Sequence, residues 1–239
     1  LVNVLLDKLE IIDNMFNGFD YSNFKELDNT GKYHLIKDGA NLMLATEDTK
    51  RRYMKHSQDV KNLYTLCNGV VSNLVKDKCL FIISVKSFIS KITNTGKLDV
   101  SEINNTVGKL LEDAIHEDEL LNLGELTRGN SLELLSDSIL SKLRAMKDKN
   151  VAAEVLSRAI KTTIGDIGKI NLTLQEKFST KFNKIVDMYN ERTDIADIEK
   201  IIEEMIKLKI EIEEEIANGN EYDLSPEEKA FFDALGADP

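Results

Sequence analysis

The chain has 239 residues, 42% of them hydrophobic, with no tryptophan and only two prolines, Pro226 and Pro239. That length supports one large domain or two small ones. The longest apolar run, Cys79 to Ile83, is far too short to cross a membrane, so a membrane partner is not expected. The net charge of −11 is uneven: residues 1–97 carry 14 Lys and Arg against 11 Asp and Glu, and residues 98–239 carry 17 against 31. A second half this acidic is a poor duplex-DNA binder, because the polyanion repels it.

Scarce proline and long periodic stretches predict an all-α fold, a multi-helix bundle. No N-terminal segment reads as a signal peptide, and a start at Leu1 rather than methionine reads as a piece of a longer protein. Leu5, Leu6, Leu9, Ile12, Met15 and Phe16 predict a helix over 2–16, stopped by Gly18. The aromatic stretch Phe19 to Phe24 reads as a loop packed down on the core. Asn29-Thr30-Gly31 reads as the next break, before a helix from about Lys32 to Leu44. Thr46 is placed to cap a helix from Glu47 to Cys67, with Tyr53, Val60, Leu63, Tyr64 and Cys67 on its buried side. Cys67 and Cys79 form no CxxC pair and read as reduced core cysteines.

Residues 79–85 are apolar enough for a buried strand. A central helix over 74–92 is preferred, because Val75, Ile82, Ile89 and Ile92 continue at helical spacing beyond the run. A further helix is expected from Ser101 to about Ile115. The weakly periodic stretch 117–135, with Gly124 and Gly129, is the expected linker between two helical layers, 1–116 and 136–239. In the second layer Ile139, Leu140, Leu143 and Met146 give a short helix. Val151, Val155 and Ala159 give another, ending near Gly165 or Gly168. Thr173 and Glu176 have capping-box spacing ahead of a helix whose apolar face is Leu174, Phe178, Phe182, Ile185 and Tyr189.

Ile195, Ile198, Ile202, Met205, Lys209, Ile212 and Ile216 fall 3-4-3-4-3-4 apart, one stripe of a helix starting at Thr193 or Asp194 and ending at Gly219. At about 25 residues it would be roughly 38 Å long. Its short link to the preceding helix predicts a long antiparallel C-terminal hairpin. Ser225, Pro226 and Glu228 then open a last helix whose Phe231, Phe232 and Leu235 need cover, most simply from the long helix.

Signatures of chemistry are incomplete. Gly31-Lys32 and Gly96-Lys97 lack the rest of a phosphate loop, and His116-Glu117 lacks the second histidine of a zinc-protease helix. Asp59-Val60-Lys61 has the spelling of a nuclease fragment but sits mid-helix. Glu211, Glu213, Glu214 and Glu215 read foremost as a solvated face that could hold a divalent cation loosely, with Glu203 and Lys207 as one supporting pair. No catalytic, cofactor-binding or metal residue is expected in this chain. Lys50, Arg51, Arg52, Lys55, His56 and Lys61 form a diluted basic helix face, with Lys50, Arg51 and Lys55 the candidate DNA contacts. Lys209, inside an isoleucine stripe, either snorkels to water or marks where a partner carboxylate arrives.

Phe19-Asp20-Tyr21-Ser22 with Phe24, and the helix carrying Lys50-Arg51-Arg52-Tyr53, resemble the region after the second motor domain in restriction subunits of type I restriction–modification enzymes. The resemblance returns over Ser136–Leu156, in Tyr189-Asn190-Glu191-Arg192, and in the closing run Leu224 to Leu235. It implies a bacterial or archaeal cytoplasmic protein whose upstream domains are an ATP- and Mg-dependent DNA translocase and endonuclease. By that resemblance 1–116 follows the second motor domain and 136–239 is a helical assembly domain, itself non-catalytic. It would brace the parent's own motor and dock on the methyltransferase (modification) and specificity subunits, and duplex DNA would be met through the parent. Tyr189, Arg192, Lys209, Phe231, Phe232 and Leu235 are the candidate docking residues. The alternatives are a DNA-contacting accessory domain of the same motor and a stand-alone helical interaction scaffold.

Overall fold

The computed structural model describes residues 1–93, 137–192, 195–218, 228, 230 and 233–235. Among these residues the secondary structure is eight α-helices up to Asn218 and one 3-10 turn, with 228, 230 and 233–235 helical as well and no strand. The chain divides into two compact units, Leu1–Thr127 and Arg128–Pro239.

In the first unit α1 spans Val2–Met15, a 3-10 turn Phe24–Glu26, α2 Asn29–Met43, α3 Glu47–Cys67 and α4 Asn73–Thr93. Residues 79–85 are therefore helical, and Cys79, Phe81, Ile82, Ile83 and Val85 are all buried. A helix apolar on so many sides has to lie at the centre, and α2 and α3 both pack on α4. Phe81 is the hub. Its ring stacks on Tyr21 at 4.4 Å between centroids and meets Phe16 at 5.4 Å and Phe24 at 5.3 Å. The aromatic loop after α1 is thus held to the core, as its composition predicts. Gly18 supplies the turn at φ +82°, a conformation that disfavours any residue with a Cβ.

The expected break at Asn29-Thr30-Gly31 is instead the first turn of α2. Asp28 caps this helix, its Oδ1 accepting from Gly31 N–H at 2.8 Å. A satisfied N-cap outweighs the turn tendency of the three residues that follow. Thr46 caps α3 as read, accepting from Thr49 N–H at 3.1 Å. The α3 stripe is buried at Tyr53, Val60 and Cys67 and half-buried at Leu63 and Tyr64. Leu6, placed on the apolar side of α1, is exposed. At Gly39 of α2 an added Cβ would come within 3.0 Å of the Phe81 ring. This close approach is what a glycine permits.

In the second unit α5 spans Asp137–Ala145, α6 Lys149–Gly168, α7 Leu172–Glu191 and α8 Ile195–Asn218. α6, α7 and α8 each pack on the other two. Lys177 pairs with Glu215, and Lys181 with Glu211, so rising numbers on α7 meet falling numbers on α8. α6 runs through Gly165 and closes at Gly168. α7 starts two residues earlier than its expected capping box implies. Asn171, not Thr173, is the cap and accepts from Leu174 N–H at 3.0 Å. On α8 Ile198, Ile202, Met205, Lys209 and Ile212 are buried as the stripe predicts, but Ile216 is exposed. Ile201, Ile206 and Leu208 are buried as well, because helices cover α8 from more than one side. The expected helix from Ser101, the stretch 117–135, the Ser225 cap, Phe231 and Phe232 lie outside the described residues.

Candidate functional site

On α3 the basic residues are drawn largely into local pairs. Lys50 Nζ lies 3.6 Å from Glu47, and Arg51 is 2.7 Å from Asp48, one turn earlier in each case. Asp59 accepts from Lys8 of α1 at 2.8 Å, and that bond holds the Asp59 carboxyl below its ordinary range. Lys55 and Arg52 stay exposed, three residues apart. Between them and α1, His56 is shifted toward neutrality by burial and then by the Lys8 charge. Of the three candidate cations, Lys50 and Arg51 each face a carboxylate one turn earlier, with Arg51 still exposed. Lys55, with Arg52 beside it, is exposed as well.

Tyr189, Arg192 and Lys209 are all buried within the second unit. The Arg192 guanidinium lies over the Tyr189 ring at 3.5 Å, donates to the Tyr189 carbonyl, and donates to Asn150 Oδ1 at 3.2 Å. Tyr189 OH in turn donates to Glu154 Oε1 at 3.5 Å. The sequence offers a signal for this cluster in Asn150 and Glu154, spaced four apart on α6 and facing inward, which the apolar reading of α6 passed over. Lys209 does not snorkel. Its side chain is 5% exposed and its Nζ meets Glu213 at 2.7 Å, one turn on. Leu235, expected to be covered, is 63% exposed. Two residues before it, Asp233 accepts from Asn171 Nδ2 at 2.6 Å, which ties the C-terminal segment to the turn between α6 and α7.

The acids of α8 are mostly engaged. Glu211, Glu213 and Glu215 face Lys181, Lys209 and Lys177. Glu203 does not pair with Lys207 as the spacing suggests. Arg144 of α5 reaches it through two parallel bonds of 2.9 Å, and Lys207 turns to Glu204 at 2.6 Å. A bidentate guanidinium is the stronger competitor for a carboxylate, and Arg144 holds Glu203 below its ordinary range. Among the described residues no group of three His, Cys, Asp or Glu side chains is arranged to hold a metal ion, and no helix is long and apolar enough to cross a membrane. Cys67 and Cys79 are both buried free thiols, and burial pushes the Cys79 thiol up to about 12.

The family model described as "Type I restriction enzyme HindI endonuclease subunit-like, C-terminal" matches residues 1–239. A protein described as a candidate type I restriction enzyme MjaIXP endonuclease subunit, from Methanocaldococcus jannaschii, is 25% identical over 232 residues, 95% of this chain and 22% of that protein. The type I restriction enzyme HindI endonuclease subunit of Haemophilus influenzae is 24% identical over 194 residues, 80% of this chain and 18% of that protein. The chain thus spans about a fifth of the length of the curated relatives it matches. No solved structure matches it.

Proposed function

The chain belongs to the family of HindI-like type I restriction endonuclease subunits, as their C-terminal domain, and from this premise we propose that it is the non-catalytic helical assembly part of such a subunit. In this reading it braces the parent's motor and docks on the methyltransferase and specificity core. ATP and Mg chemistry, and cleavage of DNA, belong to the parent's upstream domains. The observation that carries the reading is a family match over the full chain against relatives about five times its length. The composition agrees: an acidic all-helical chain is suited to holding proteins rather than DNA.

Tyr189, Arg192 and Lys209 act in this reading from inside. They fix the ends and spacing of α6, α7 and α8, so that the outward residues, Leu235 among them, are presented in one geometry. The test is co-elution of the 239-residue chain with a purified modification–specificity core in gel filtration. A shared peak is the expected result. Separate peaks, under conditions where the full-length endonuclease subunit joins the core, would remove the docking role.

A further inference from the structure

α1 and α3 pack against each other in opposite directions. Phe16 meets Tyr53 at 5.6 Å between ring centroids, and nearer the start of α1 Lys8 bonds to Asp59, further along α3, at 2.8 Å. That ion pair is partly exposed, so it marks the outer rim of the contact. Val4 and Leu1 lie four and seven residues before Lys8, and Leu63 and Leu66 four and seven after Asp59. Those spacings keep each set on the stripe of its helix that carries the ion pair. At about 1.5 Å per residue, both stripes run roughly 10 Å from the pair toward the same end of the unit. Leu1 is thereby level with Leu66. Val70 follows in the turn after α3, its N–H bonded to the Cys67 carbonyl at 3.1 Å. Leu1, Leu66 and Val70 are 70%, 70% and 76% exposed, and Val4 is exposed beside them.

The start of α1 points to what covers this rim. The other three described helices of the first unit are capped by a side chain. Asp28 accepts from Gly31 N–H, Thr46 from Thr49 N–H and Ser72 from Val75 N–H. At α1 the cap position holds Leu1, no side chain accepts a bond there, and no acid stands in the first turn. Such residues start a helix poorly and suit the middle of one. The relatives are about five times as long as this chain, and the matching family model is that of a C-terminal part. Most of such a polypeptide therefore lies ahead of α1. A second copy is the weaker occupant, because four side chains fall far short of the roughly twenty residues a side that a stable interface covers.

We infer that α1 continues upstream in the parent subunit, and that the residues directly ahead of Leu1 form an amphipathic helical segment whose apolar side covers Leu66 and Val70. With the antiparallel register kept, Val70 lies beside the first turn upstream of Leu1. The inference rests on the bracing part of the reading above and gives it a means. A helix shared by the C-terminal domain and the part before it acts as a semi-rigid spacer where a flexible loop would hinge.

The experiment compares the 239-residue chain with the same chain lengthened at its start by the parent's own residues, about 14 of them or roughly four helical turns. The longer chain is expected to gain helix by circular dichroism and to melt about 5 °C higher. Leu66→Glu with Val70→Glu, which alters only exposed side chains, should leave the 239-residue chain unchanged and cancel the gain in the longer one. Met188→Glu, at an exposed position of the second unit, should cancel nothing. A longer chain with no gain, or a gain that the Leu66 and Val70 pair leaves untouched, would overturn the inference. Self-association of the longer chain that Leu66→Glu abolishes would give the surface to a second copy and overturn it as well. Docking is decided separately, by co-elution with the modification–specificity core. A gain on lengthening together with separate peaks there would support the shared helix and remove docking.

Discussion

Arg192 is a charged residue 8% exposed, and its flat, forked guanidinium fits the place it occupies. Its plane stacks on Tyr189 while its edges reach the Tyr189 carbonyl and Asn150. A lysine has the charge but neither the plane nor the fork. Arg192→Lys is therefore expected to lower stability by about 2 kcal/mol, the scale of a desolvated cation–π contact. Urea unfolding followed by circular dichroism measures it, and a change under about 0.5 kcal/mol, the ordinary surface scale, would mean that the stack is incidental. Two carboxylates make a second residue-scale case. Asp59 and Glu203 sit below their ordinary values of 3.8 and 4.5, held by Lys8 and by Arg144. The folded state then binds fewer protons than the unfolded one in the window beneath those values. Stability present above the ordinary values is lost as pH falls through the lowered ones. Both groups are partly solvated, so the loss is modest. Unfolding midpoints taken between pH 5 and 2.5 should fall on acidification, and less steeply in Asp59→Asn and in Glu203→Gln.

Helix starts show what was legible along the chain and what was not. Thr46 was readable because a β-branched hydroxyl residue precedes two acids and a long periodic run. Asp28 was not, because Asn29-Thr30-Gly31 has the spelling of a turn, and the hydrogen bond that decides otherwise is a matter of coordinates. At Asn171 two good caps lie two residues apart, and the sequence favoured Thr173 for its partner Glu176. The bond from Asn171 Nδ2 to Asp233, 62 residues away, is a tertiary contact with no local trace. The long isoleucine stripe was readable for the same reason that Thr46 was, since periodicity is local. That α8 is buried more widely than one stripe depends on its neighbours. Asp28→Ala should cost about 1 kcal/mol, as N-cap losses do. Gly31→Ala tests the same cap from the other side, because its Cβ would lie 2.9 Å from Asp28 Oδ1 and 3.2 Å from Leu27 Cβ. The substitution ought to gain in helix propensity, so a net loss in thermal unfolding shows that the cap was displaced. Were Asp28→Ala neutral, α2 would owe its start to packing of Tyr33 and Ile36 instead.

Over the whole molecule, charge decides what the chain can approach. A body at −11 meets duplex DNA against its own field, and any attraction has to come from cations not already engaged. On α3, Lys50 and Arg51 face Glu47 and Asp48, which leaves Arg52 and Lys55 outward. Each neutralised phosphate contributes about 0.9 to the slope of log affinity against log salt. Two such contacts on α3 would contribute a slope of about 2. Fluorescence anisotropy with a labelled duplex, titrated with the chain across a salt series, should show weak binding with at most that slope. Arg52→Glu with Lys55→Glu should abolish what remains. A slope nearer 6, insensitive to those two substitutions, would show a cationic surface elsewhere in the chain, and contact with DNA would then displace assembly as the role of its first unit.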